Sequence, residues 1–172
     1  MTTKTRATLE DLYAAPGKAE LVEGELVLMS PTGDKPGWAG DEIFFSLRSY
    51  VRMISFGRAV SDNKGFLAHL PNRRSFRPDA AFYTGRPGDM KFFPDVAVFA
   101  AEVRSENDYG PKAEEAMAAK RADYFATGCQ VVWDVDLLSV HVACVCWASA
   151  PDNPTRYRHG ETAGIIQPAM LG

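Results

Sequence analysis

The run VAVFAAEV at residues 96–103, the stretch PKAEEAMAAKRADYFATG at 111–128 and the run CQVVWDVD at 129–136 decide how this chain folds. The first is nearly continuous in apolar residues, as in a strand covered on both faces by helices; a buried helix would give the same run, since periodicity alone does not separate the two. In the second, Asp108-Tyr109-Gly110-Pro111 signals a helix start. Ala113, Met117, Lys120 and Tyr124 then share one face until Gly128 stops the helix. The third run predicts a strand, and residues 140–147, apolar on both parities, predict another that is either a packed core strand or an assembly edge.

Upstream, Thr8-Leu9-Glu10-Asp11 resembles a capping box opening a short helix through Ala14. Leu21-Val22 and residues 25–29 read as two short strands around the Glu23-Gly24 turn. Residues 30–37 form a Pro/Gly-rich loop. Ile43, Leu47, Tyr50, Val51 and Ile54 then recur at helical spacing, which predicts an amphipathic helix over 38–54 closed by Gly57. Strands are expected at 58–61 and 65–70. Residues 75–83 read as one extended segment, starting late or lying near an edge because of Pro78. From Ala148 a Pro-rich tail wraps the surface, with a short strand at Ile165-Ile166. The resulting order predicts an α/β fold, a central mixed β-sheet flanked by helices, in a single domain over 1–172 with its core at about 8–160.

A chain of 172 residues with 46% apolar content fits one domain with a substantial core. No apolar run approaches a membrane span and the first ten residues lack a signal-peptide core, so the expected location is the cytoplasm. Three cysteines are too few for a disulfide framework, and His69, His141 and His159 lack ligand spacing for zinc. The net charge of -3 argues against tight, sequence-independent binding to long DNA, yet leaves room for a small catalytic footprint. A local basic patch exists at Arg73, Arg74 and Arg77, with Lys112, Lys120 and Arg121 later in the chain. P-loop, dinucleotide and serine-nucleophile motifs are absent from the sequence.

Glu102 stands out. A carboxylate at the end of an apolar strand is costly if buried unpaired, but it is well placed at the strand ends where open α/β sheets bind ligands. Phosphodiester hydrolysis uses a divalent ion to neutralise charge and activate water. Magnesium, with manganese as substitute, needs only a few hard oxygens: Asp79 and Glu102 would supply carboxylates and Val103 its main-chain carbonyl. Lys120 would orient the water and offset the developing charge. The plain alternative for Glu102 is a structural ion pair with Arg104 or Lys120.

Pro78-Asp79, Glu102-Val103-Arg104-Ser105, Lys120 with Tyr124 and Gly128, and the Val132–Asp136 run, preceded by Glu20-Leu21-Val22-Glu23-Gly24-Glu25-Leu26, together resemble the Uma2 (DUF820) family of restriction-endonuclease-like proteins. The resemblance implies the PD-(D/E)XK nuclease superfamily and a magnesium-dependent endonuclease acting on DNA. It makes Asp79 and Glu102 the metal ligands. Lys120 stands as a relocated catalytic lysine, because Arg104 occupies the usual lysine position and, like Arg73, Arg74 and Arg77, can only bind phosphate or a carboxylate. An early acidic residue assists in such sites, and Glu42 and Glu23 are eligible. Family members of this kind look dimeric, so a homodimer is expected. The same fold without catalysis, a binding or assembly module, is the competing reading.

Overall fold

The structure, a computed structural model, describes residues 6–164. Helix α1 (Leu9–Ala14) opens on the expected capping box, with the Thr8 N–H donating to the Asp11 carboxylate at 2.7 Å and the Asp11 N–H returning to the Thr8 hydroxyl. Strands β1 (Ala19–Val22) and β2 (Glu25–Leu28) pair antiparallel around Glu23 and Gly24, both at positive φ as a two-residue hairpin turn requires. Helix α2 (Asp34–Ile54) starts inside the segment expected to be loop. Pro36 lies in its first turn, where the missing N–H has no intrahelical partner to lose. The helix ends through Ser55 in the left-handed region, and Gly57 follows at φ 73, where a Cβ would meet the Phe82 ring at 2.6 Å.

Strands β3 (Arg58–Ser61), β4 (Phe66–Leu67), β5 (Ser75–Phe76), β6 (Ala80–Tyr83) and β7 (Phe99–Val103) lead to helix α3 (Pro111–Ala126), then β8 (Val131–Val135), β9 (Ala143–Trp147) and β10 (Ala150–Tyr157). A six-stranded sheet in the order β10-β9-β8-β7-β6-β3 is antiparallel except between β7 and β8, which α3 connects. It is therefore a mixed sheet with α2 against one face and α3 against the other, as the sequence predicts.

Alternating residues feed the two layers. Phe82, Phe99, Ala101, Val103 and Trp133 pack with Leu47 and Val51 of α2, while Ala100 and Val132 pack with Tyr124 of α3 and Cys129. Phe99, Ala100 and Ala101 have no exposed surface, which decides for a doubly covered strand over a helix. Fully burying Phe82 or Phe99 contributes roughly 1.5–3 kcal/mol each. The Tyr124 ring stacks on Phe76 at 3.9 Å between centroids, tying α3 to the small β4–β5 ladder.

Three expectations are corrected. Residues 75–83 are two strands in different sheets, because buried Pro78 cannot donate to a ladder. The tail expected to be irregular forms β10, whose Pro151 and Pro154 suit an outermost strand; it covers β9, so of the two readings left open for residues 140–147 the packed strand is the one found, over Ala143–Trp147. Residues 65–70 contribute only the two-residue β4. Ile165-Ile166 lies outside the described residues. No helix among the described residues is long and apolar enough to cross a membrane.

Candidate active site at the carboxyl end of strand β7

The interruption between β5 and β6 at Pro78 places Asp79 where β6 meets the end of β7. The Asp79 N–H donates to the Ala101 carbonyl at 3.0 Å, and Ala80 pairs with Ala101, so Asp79 stands opposite Glu102 in the continued antiparallel register. The Val103 N–H donates to Asp79 Oδ2 at 2.7 Å and fixes the carboxylate. From α3, Lys120 and Tyr124 project together, one helical turn apart. Lys120 Nζ lies 2.8 Å from Glu102 Oε2, and the Tyr124 hydroxyl donates to Glu102 Oε1 at 2.6 Å. From β1, Glu20 reaches the same lysine at 2.9 Å. Lys18, just before β1, bonds Asp79 Oδ1 at 2.9 Å.

These groups line a cleft of about 470 Å³ between the β1–β2 hairpin and α3. Val22, Val27, Leu28 and Met117 give it apolar walls. Burial would favour a neutral Lys120 amine, but Glu102 and Glu20 outweigh it and hold the ammonium charged with its pKa raised. For Glu102, burial favours the acid and the charges of Asp79 and Glu20 add to it, so its pKa is raised despite Lys120. Glu20 is also buried, yet Lys120, Arg73 and the Arg77 N–H hold its carboxyl below the ordinary range. Burial beside those two glutamates pushes the Tyr124 hydroxyl well up, so it stays a donor.

Of the residues singled out in the sequence, Asp79, Glu102, Val103, Lys120, Arg104 and Arg73 border the cleft; Arg74, Arg77, Glu23 and Glu42 do not. Gly40 is the α2 residue that packs on Asp79, and Glu42 lies about 200° further round the helix, facing solvent. Glu23 is exposed in the hairpin turn. The early carboxylate that enters the site is Glu20, and the signal for it was available: a glutamate amid Ala19, Leu21 and Val22 in a strand, the same pattern that marks Glu102.

The arginines are engaged with protein. Arg73 is buried, paired with Glu20 at 2.7 Å and Asp123 at 2.8 Å. Arg77 donates to the Gly17 carbonyl and lies over the Phe92 ring. Arg104 forks onto Asp134 at 2.7 and 2.8 Å and also grips Glu114, clamping β8 to α3. None of these three presents a free guanidinium to phosphate, and Arg74 is exposed away from the cleft. Arg121 lines the cleft and has no ion-pair partner among the described residues. Of the two ion pairs that a purely structural role for Glu102 would use, the one with Arg104 is not formed and the one with Lys120 is, while Glu102 still borders the cleft.

The donor set suits a hard divalent ion. Two carboxylates face each other across adjacent strands at the cleft, with a main-chain carbonyl at Val103 beside them. Magnesium needs few protein oxygens because it keeps several waters. Among the described residues no group of three or more His, Cys, Asp or Glu side chains is placed to hold a metal ion, so a site here would rest on two carboxylates, main chain and water.

The sequence profile of the Uma2 family, described as "putative restriction endonuclease", matches residues 7–165. No curated protein matches. The structure resembles the crystal structure, at 1.96 Å, of a "putative nuclease belonging to DUF820" from Anabaena variabilis ATCC 29413, with a TM-score of 0.67 and 16% identity over 95% of this chain and 90% of that one. At that identity the likeness concerns the fold.

Proposed function

The chain belongs to the Uma2 family, and from that premise we propose that it is a magnesium-dependent endonuclease hydrolysing phosphodiester bonds in DNA. The observation that carries the reading is that Asp79 and Glu102 line one cleft at the carboxyl end of β7, beside a buried ammonium held by two carboxylates. Asp79, Glu102 and the Val103 carbonyl would hold magnesium, or manganese in its place, and the bound ion would supply charge neutralisation and a more acidic water.

The protein's own groups divide the remaining work. Water oxygen bonds to phosphorus as the phosphorus–oxygen bond to the leaving sugar breaks, and negative charge builds on the phosphoryl oxygens. Lys120 stays protonated between Glu102 and Glu20, so it acts by orienting water and offsetting that charge, with solvent or substrate phosphate taking the proton. Tyr124 fixes the rotamer of Glu102. Arg121 is the cleft cation free to meet a backbone phosphate. Unbridged Cys129, Cys144 and Cys146 are consistent with a reducing cytoplasm.

The test is cleavage of supercoiled and single-stranded DNA with magnesium or manganese. Wild type cuts only with metal, and Lys120→Ala, checked for folding by circular dichroism, loses about 10²–10³-fold in rate. One feature favours a non-catalytic module: Asp79 and Glu102 each already carry a lysine. DNA binding without any cleavage by wild type would select that reading.

The solvent face of α2 supports a homodimer. Trp38, Phe45 and Met53 form a stripe there, with Phe45 68% and Met53 74% exposed. Two copies laid antiparallel across a two-fold axis at the level of Leu47 would set Glu42 against Arg52 of the other copy and Phe45 over the small Ser49, a self-complementary pattern. Phe45→Glu is expected to convert a dimer to monomer in light scattering after gel filtration; a wild type that is monomeric at about 100 μM ends this assignment.

A further inference from the structure

Lys18 is a cation of the cleft to which the reaction assigns no task. Its carbonyl accepts the Met29 N–H at the base of the β1–β2 hairpin, and its side chain is only 14% exposed. Nζ sits between two carboxylates, 2.9 Å from Asp79 Oδ1 and 2.6 Å from Asp62 Oδ1.

The two carboxylates are not equivalent. Asp79 Oδ2 already accepts the Val103 N–H, so Oδ1 is the oxygen left for a cation, and Lys18 holds it. Asp62 follows β3, does not line the cleft, and is anchored separately by the Asn63 N–H and the Thr32 hydroxyl. It offers the ammonium a seat that does not depend on Asp79. By contrast, Lys120 is shared by Glu102 and Glu20, both of which line the cleft.

We propose that Lys18 is a displaceable counter-ion, which neutralises Asp79 while no divalent cation is bound and withdraws onto Asp62 when one binds. The physical reasons are simple. Asp79 and Glu102 repel one another when both are ionised and no cation is near, and an ammonium relieves this. Once a divalent ion shares Asp79, the ammonium becomes a like charge within a few ångströms, at a position of low exposure where solvent screens little. A four-carbon stem ending in a point charge can retreat by rotamer change, as a planar guanidinium in a two-point fork cannot. Asp62 thereby tunes how readily the site fills without touching the ion. This inference rests on the metal-dependent reading of the site.

The experiment is manganese binding to the full chain by titration calorimetry, without nucleic acid. Lys18→Met, which keeps the stem, is expected to tighten manganese binding about tenfold, and Asp62→Asn, which leaves the ammonium to Asp79 alone, to weaken it by a similar factor. A merely structural Lys18–Asp62 bridge would shift both variants in the same direction, so the opposite signs are the discriminating result. Unchanged affinity or parallel shifts, with wild-type binding abolished by Glu102→Gln, overturns the counter-ion role and leaves the metal site standing. No manganese bound by any form overturns both. Should Lys18→Met fail to fold, Lys18→Gln, which also removes the charge and keeps most of the stem, takes its place in the comparison of signs.

Discussion

Glu102→Gln is expected to lose metal-dependent cleavage by about a thousandfold or more while melting at the same temperature as wild type or above it. The amide keeps the shape of the side chain: with its carbonyl accepting from the Lys120 ammonium, its NH2 donates to the Tyr124 hydroxyl oxygen, so packing is preserved. The negative charge that would hold the divalent ion is gone. Stability should not suffer, because the folded protein resists ionising this residue: burial, Asp79 and Glu20 together raise its pKa. A carboxyl raised in the folded state weighs against folding as pH rises from the ordinary glutamate range through the raised value. At neutral pH the wild type carries that penalty and the Gln variant does not, and Lys120 retains Glu20 in either case. Plasmid nicking and thermal denaturation across pH 4–8 check both halves. A variant that keeps more than a tenth of the activity removes Glu102 from the chemistry.

The largest expected loss of stability follows Arg73→Ala, about 3–5 kcal/mol, or on the order of 10 °C in melting temperature. Arg73 is buried and joins three parts of the molecule: Glu20 of β1, Asp123 of α3, and the Phe76 ring that its guanidinium covers at 4.9 Å. Alanine leaves two carboxylates in poorly solvated positions. Glu20 keeps Lys120 and the Arg77 N–H, and Asp123 keeps Asn72, which places the effect toward the lower end of that range. Arg73→Lys should recover only part of it, since an ammonium cannot reproduce the two-point fork. Chemical denaturation measures the difference, and a cost below about 1 kcal/mol for the alanine variant would mean that the network contributes nothing net.

Much of this architecture is readable in the residues. The helical spacing in α2 and α3 and the apolar runs of β7 and β8 show both helices and the strands between them, because burial imposes a period on composition. Boundaries fared worse where a proline decides: Pro36 reads as loop yet is tolerated in a first turn, and Pro78 divides one extended segment between two sheets. Strand β10 was hidden because an edge strand needs neither apolar alternation nor every N–H, so Pro151 and Pro154 mask it. Asp79, Glu102 and Lys120 were identified as a set, and the structure brings them together. The turn residue Glu23 is the expected early carboxylate, although the apolar surroundings of Glu20 in a strand are the better signal. The engagement of Arg73, Arg77 and Arg104 could not be read locally, since their partners lie far along the chain and ion pairing leaves no period. Glu42 fails for a geometric reason: two residues along a helix is nearly the opposite face.

The cleft draws Lys18, Glu20, Asp79, Glu102 and Lys120 from widely separated points of the chain. On the ribosome, the β6–β7 pair and its two carboxylates emerge before α3, and β7 gains its parallel neighbour β8 only after α3 has been synthesised. A nascent or truncated chain ending before α3 therefore lacks Lys120 and the wall that closes the cleft. Completion of the crossover is thus the step that assembles the cleft.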